Sequence, residues 1–166
     1  MYDTDQAHRS EMQAVGTTYG HNSPKLMALW KKQQPIDKAN IARLGQIIEE
    51  HGWPRRGLVG DKGAIAAFLV LQHADYTYQK KYLPLVRAAV AAGETRAEDL
   101  ALLEDRVLMR EGKKQIYGSQ LQQNDKGAWE FYPIEDEPNV DERRQAVGLP
   151  SLAEYARQFG FEYHPK

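Results

Sequence analysis

The chain contains no cysteine, which excludes disulfides, thiolate nucleophiles and cysteine-based zinc sites together. It also lacks a long apolar run. The longest, Ala64 to Leu71, falls far short of the roughly 20 residues that a membrane-spanning helix needs. The opening MYDTDQAHRSEM carries no hydrophobic signal core. Charge of either sign is not in excess: 22 Lys and Arg stand against 23 Asp and Glu, for a net −1. Basic residues occur only as doublets, such as Lys31–Lys32, Arg55–Arg56, Lys80–Lys81 and Arg143–Arg144. Binding through phosphate neutralisation normally needs a basic patch. Phosphate-binding loops, dinucleotide glycine patterns, H-E-x-x-H and G-x-S-x-G are all missing. These absences lead to the expectation of a soluble, cytoplasmic protein with no metal, no cofactor, no membrane partner and no nucleic-acid partner.

What is present is ordinary globular composition, 42% hydrophobic and 27% charged, over 166 residues. That length suits one domain, residues 1–166, with a substantial core. No repeat or low-complexity linker divides it. Helical signals dominate. Asp3 to Val15 reads as one helix, with Asp5 and Arg9 at i,i+4 and Gly16 as its stop. Ser23–Pro24 opens a short helix to about Gln33, and Asp37 caps a second one carrying Ile41, Leu44, Ile47 and Ile48, stopped by Gly52 and Pro54. GWPRRGLVGDKG is expected as a loop, followed by a buried helix from Lys62 to Tyr78. A further segment holds Leu83, Val86, Arg87 and Val90, with Pro84 at its first turn or a kink. Thr95 to Glu98 reads as a capping box opening a helix that stops at Gly112. KQIYGSQLQQ and AWEFYPI are expected as two strands joined by NDKG. Two short helices finish the chain, near 140–147 and after Ser151, the latter with a second capping box to Glu154. The expected fold is mainly α, a single-domain array of about six to seven helices with one small β-hairpin near residues 114–134.

Chemistry is most visible where the apolar helix turns polar, in LVLQHADYTYQ. At about 100° per residue, Ile65, Phe68, Leu69, Gln72, Tyr76 and Gln79 share one stripe. His73 and Asp75 flank it on opposite sides, so in a regular helix they point apart. They converge only if the helix ends near Ala74. His73 is then either a core-edge histidine bonded to a carbonyl or a general acid/base at the end of an apolar wall. His8 and His21 sit on surface segments, His51 precedes a helix-stop glycine, and His164 is in the tail. Asp105 and Arg106 place charge in a nearly all-round apolar helix, where a buried ion needs a partner. Asp105 suits an ion pair to another helix, and Arg106 suits a fork to a carboxylate or phosphate. In an extended strand, Gln115, Tyr117 and Ser119 share one face, with Ile116 and Gln120 opposite.

The order GWP…VG, QHAD…Q…LP, DR…GK.Q.YG.Q, P.ED and RR..VGLP.L.EY resembles a bacterial family of unknown function. The likeness runs from DQAHR to SLAEY and includes Asp5, Gln6, Arg9, Gln72, His73, Asp75, Gln79, Asp105, Arg106, Gln115, Tyr117, Gln120, Arg143 and Arg144. The family pattern has threonine where Ser119 stands and tyrosine near Leu102. No activity comes with the resemblance. A signature of Gln, His, Asp, Arg and Tyr from separate segments does favour a shared polar pocket.

Two functions fit such a pocket. In the first, His73 is the acid/base, oriented by Asp75 or Asp105, on a small polar or peptide-like anionic substrate. Arg106, with Arg9 or Arg144, holds the anion, while Gln72, Gln79, Gln115, Tyr117 and Gln120 bind amide or hydroxyl groups. In the second, the same pocket binds a small molecule, peptide or protein partner without chemistry. A network that only specifies helix packing is the third possibility. Oligomeric state is not legible in the sequence.

Overall fold

Glycine and proline set most helix limits in this chain, and the exceptions shape the candidate site. The computed structural model describes residues 1–20, 22–125 and 127–164. They form two compact units, Met1–Leu85 and Val86–Lys166.

The first unit opens with α1 (Tyr2–Gln6) and α2 (Arg9–Tyr19). The single helix expected over 3–15 is therefore two, broken at Ala7–His8. Gly16 does not stop it; it lies buried inside α2, which ends at Gly20 with φ 85°. Packing of α2 on α3, through Met12, Val15, Leu26 and Leu29, outweighs the roughly 1 kcal/mol that an interior glycine costs.

The next helix, α3, runs unbroken from Pro24 to His51. Its start is as expected, with Ser23 Oγ accepting the Leu26 N–H at 3.3 Å. The break expected before Asp37 is absent, and Pro35 is carried inside the helix. An interior proline removes one backbone hydrogen bond. Here the adjoining turns are pinned from outside, because Gln33 and Asp37 bond to α1 and α2 as described below.

GWPRRGLVGDKG is not a loop throughout, since α4 spans Arg56–His73 and is kinked at Gly60, where φ is 71°. The helix expected through Tyr78 ends five residues early. Ala74 turns extended (ψ 168°), and α5 restarts at Tyr76 and runs to Ala91 with Pro84 in its interior. Ile41, Leu44 and Ile48 of α3, and Ala66, Ala67, Phe68, Val70 and Leu71 of α4, supply the buried apolar surface of this unit.

The second unit centres on α6 (Ala97–Arg110). Its N-cap is Arg96, with no side-chain cap bond, so the Thr95–Glu98 box does not form. Arg96 instead reaches Glu98 at 2.7 Å and Asp99 at 2.6 Å. Gly112 (φ 69°) ends the helix in the expected place. Its N–H and that of Lys113 close on the carbonyls of Met109 and Leu108 at 3.0 and 2.9 Å.

Of the strand expected over 114–123, residues 114–120 form an irregular loop instead, in which Gln115 bridges to Ile134. The hairpin proper is β1 (Leu121–Gln123) against β2 (Trp129–Phe131), antiparallel, with Gln122 opposite Glu130. The NDKG turn includes Lys126, which lies outside the described residues. A 3-10 turn (Glu137–Asn139), α7 (Val140–Ala146) and α8 (Leu152–Gln158) follow. Both halves of the Ser151–Glu154 capping box are made. Ile134, Val140 and Leu152 form the local core, with Phe131 and Tyr163 against it. The mainly α class with one small hairpin is as expected.

Gly118 shows how tightly the loop seats on this core. Its φ is +68°, and an added Cβ would lie 2.7 Å from Ile134 Cδ1 and 2.9 Å from Leu152 Cδ2. Gly118→Ala combines left-handed strain with overpacking. It should lower stability by about 2 kcal/mol, read from the urea midpoint.

Candidate functional site

Helix α1 is only five residues long, yet it buries Asp5 completely (0% exposed). An ion at such a position must be satisfied by its neighbours. The main partner is His73, the last residue of α4, whose Nδ1 lies 3.0 Å from both Asp5 oxygens. Gln6 Nε2 donates to Asp5 Oδ2 at 2.7 Å, and Arg9 Nη2 stands 3.7 Å from Oδ1. Burial pushes the Asp5 pKa up. The hydrogen bond and charge of His73, the charge of Arg9 and the Gln6 hydrogen bond outweigh it, and the pKa settles below the ordinary carboxylate value.

A second layer backs the first. Arg9 Nη2 donates to Asp37 Oδ1 at 2.7 Å, and Gln33 Nε2 donates to the same oxygen at 2.8 Å. Gln33 also donates to the Asp5 carbonyl at 3.1 Å, tying α3 to α1. The Arg9 guanidinium lies 5.9 Å from the Trp30 ring centroid. Arg9 is thus shared between two carboxylates and an indole. Its Nε and the Gln33 Oε1 are buried without a hydrogen-bond partner among the described residues.

The early end of α4 gives His73 its position. Among the carbonyls that a helix end leaves unbonded, that of Gln72 is met by Gln79 Nε2 at 2.9 Å. Gln72 and Gln79 are both buried. His73, Ala74 and Asp75 then turn along one side of a cleft of about 400 Å³, lined on the α3 side by Trp30, Gln34, Asp37, Lys38 and Ile41. His73 and Asp75 therefore share a cleft wall, the arrangement available only to a helix that stops near Ala74. The His73 Nε2 makes no hydrogen bond among the described residues. With Asp5 as the carboxylate on Nδ1, Nδ1 is a donor nitrogen, and Nε2 is the nitrogen left for a ligand.

The other candidates belong to the second unit, where most engage the backbone of one loop. Asp105 is fully buried and accepts three amides: Ile116 and Tyr117 on Oδ1 at 2.8 and 3.0 Å, and Ser119 on Oδ2 at 2.8 Å. Its partners are loop N–H groups rather than an arginine. Gln115 closes the same loop. Its Nε2 donates to the carbonyls of Gln120 (3.1 Å) and Tyr132 (2.9 Å), and its Oε1 accepts the Gln120 N–H (2.6 Å).

Arg144 is 1% exposed, donates to the Tyr117 carbonyl at 2.7 Å, and lies 4.9 Å from the Tyr155 ring centroid. Arg143 Nε holds the Ile116 carbonyl at 2.9 Å. Arg106 Nε donates to Gln120 Oε1 at 3.1 Å. Burial raises the Tyr117 phenol pKa, and the charges of Glu104 and Asp105 add to the rise. The extended backbone once expected here cannot form, because a central carboxylate gathers successive N–H groups that a strand would send to opposite sides.

Three residues at the cleft or behind His73 escape a reading by periodicity. Asp5 reads as half of an i,i+4 pair with Arg9 and Asp37 as a helix cap, and Trp30 carries no signal of its own. Of the remaining histidines, His51 and His164 are exposed and His8 is half-buried; His21 lies outside the described residues. Among the described residues, no group of three or more His, Cys, Asp or Glu could hold a metal ion. No described helix is long and apolar enough to cross a membrane.

The first unit is thus a helical unit that carries a histidine–carboxylate dyad at the C-terminus of one helix. The chain belongs to the family of unknown function DUF6624, whose model matches residues 1–166, in line with the resemblance drawn from its sequence. No functionally curated protein and no solved structure is significantly similar to it.

Two outcomes follow from these buried carboxylates. Because the Asp5 pKa is depressed in the fold, its contribution is full above the unfolded value of about 4 and is lost as pH falls through the folded value. Asp5→Asn should lower the urea midpoint at pH 7 and flatten its fall on acidification. Asp105→Ala strands three amides and should cost about 3 kcal/mol or more in the same measurement.

Proposed function

We propose that the cleft at His73 is the active site of an enzyme that works by imidazole acid/base chemistry on a small polar molecule. The observation that carries this reading is the dyad, with Nδ1 held at 3.0 Å by a fully buried carboxylate while Nε2 makes no hydrogen bond among the described residues and the side chain lines a cleft of about 400 Å³. A carboxylate in this position fixes the tautomer and stabilises the imidazolium that forms when Nε2 takes a proton. The same nitrogen can return that proton to a leaving group. Asp5, rather than Asp75 or Asp105, is the orienting carboxylate in this reading. Asp105, Gln115, Gln120 and Arg144 act on the loop that they bind.

The noncatalytic reading uses the same cleft to hold a ligand. Activated-ester hydrolysis separates the two, since a basic imidazole with an open Nε2 accelerates the release of nitrophenol from p-nitrophenyl acetate. The expected result is turnover above buffer that falls at least tenfold in His73→Gln and in Asp5→Asn, with folding retained by circular dichroism. Equal rates in wild type and His73→Gln would refute the enzyme reading.

A further inference from the structure

The cleft offers more negative than positive charge to a ligand. Asp37 is bonded on one oxygen only. Its Oδ1 accepts Arg9 and Gln33 at 2.7 and 2.8 Å, while Oδ2 has no hydrogen-bond partner among the described residues. Asp75, exposed on the opposite wall, makes no side-chain hydrogen bond among them either. The cleft is also lined by Trp30, 40% exposed, whose ring already accepts one cation, with the Arg9 guanidinium 5.9 Å from its centroid. The arginine that could have gripped an anion is engaged with Asp37 and Asp5. Among the described residues, Lys38 is the one lysine or arginine lining the cleft, and it is exposed on a flexible stem.

A half-bonded carboxylate and a second, unpaired one beside an indole make a recognition set for a protonated nitrogen. We propose that the molecule bound beside His73 carries an ammonium group, held by Asp37 Oδ2 and Asp75 against Trp30, and that Asp37 is the residue that selects it. The proposal rests on the cleft being the functional site. It reverses the anionic substrate expected from the sequence, because that expectation counted Arg9 as available. It also places His73 Nε2 beside the carbon chain that bears the nitrogen, where the proton transfer would occur.

Three probes of one shape and different charge test it: n-butylammonium, 1-butanol and butyrate, titrated into the full chain at constant ionic strength. Binding is followed by amide and indole N–H shifts, with the Trp30 signal assigned through Trp30→Phe. The expected result is saturable shifts at Trp30 and His73 with n-butylammonium alone, weakened at least tenfold by Asp37→Asn and severalfold by Asp75→Asn. The Asp75 side chain makes no hydrogen bond among the described residues, so its variant tests the proposal even if Asp37→Asn fails to fold. Butyrate or butanol binding as tightly as the amine overturns the proposal. So does the absence of any saturable shift, or an Asp75→Asn affinity equal to wild type. A cleft silent to n-butylammonium in a protein whose ester hydrolysis still depends on His73 removes the substrate class and leaves the acid/base reading standing. Amine binding with no dependence of hydrolysis on His73 does the reverse.

Discussion

Burying the Asp5 carboxylate is the constraint from which the first unit follows. A charge at zero exposure can persist only with several donors around it, and these come from three directions. Gln6 is its sequence neighbour, Arg9 arrives from α2, and His73 comes from the end of α4. Each donor sets a structural condition. Arg9 must lie close enough to reach back, which fits a break at Ala7–His8 rather than one long helix. His73 must project from a helix terminus, which fits the stop at Ala74. Gln33 must reach the Asp5 carbonyl, which fits α3 continuing straight through Pro35. The irregular features of the unit are thus the ones that bring donors to one carboxylate.

The second unit contains a buried carboxylate of equal depth with a different kind of partner. Asp105 is surrounded by backbone amides of one loop, and Arg144 by backbone carbonyls of the same region. A backbone amide is a permanent donor that cannot be titrated, so Asp105 fixes a conformation. The partner of Asp5 is an imidazole, a side chain that can itself exchange a proton and that keeps a second nitrogen for other work. This difference in partner chemistry, not burial or charge, is why the two aspartates receive different roles.

Much of the fold was legible because helix formation leaves local signals. Ser23–Pro24, Gly112 and the Ser151–Glu154 box act within one turn of chain, and all three appear where the residues place them. The failures are of the opposite kind. Gly16 and Pro35 look like stops, and tertiary contacts carry the helices through them. Residues 114–120 look like part of a strand until a carboxylate 14 positions before Ser119 draws in their amides. For the site, His73 was readable as a polar residue at the end of an apolar run. Asp5 was not, because its partner lies 68 residues away, and spacing along the chain carries no trace of that distance. The family signature did contain Asp5, Gln6 and Arg9, so the information was present as a pattern without its geometry.

Hydrogen-bond saturation sorts the polar residues better than their type does. Gln115 has both its amide oxygen and its nitrogen engaged with backbone, so it offers a ligand little. His73 and Asp37 are each anchored on one atom and open on the other, and both open ends belong to side chains lining one cleft. Anchoring on one atom fixes orientation before a ligand arrives, which lowers the ordering cost of binding and of proton transfer. Leaving the second atom open is affordable at the cleft because solvent can satisfy it until it is displaced. A packing network has no reason to leave such ends at its surface, whereas a site needs them there. On that ground the cleft of the first unit, rather than the richer polar cluster of the second, is the one we propose as the functional site.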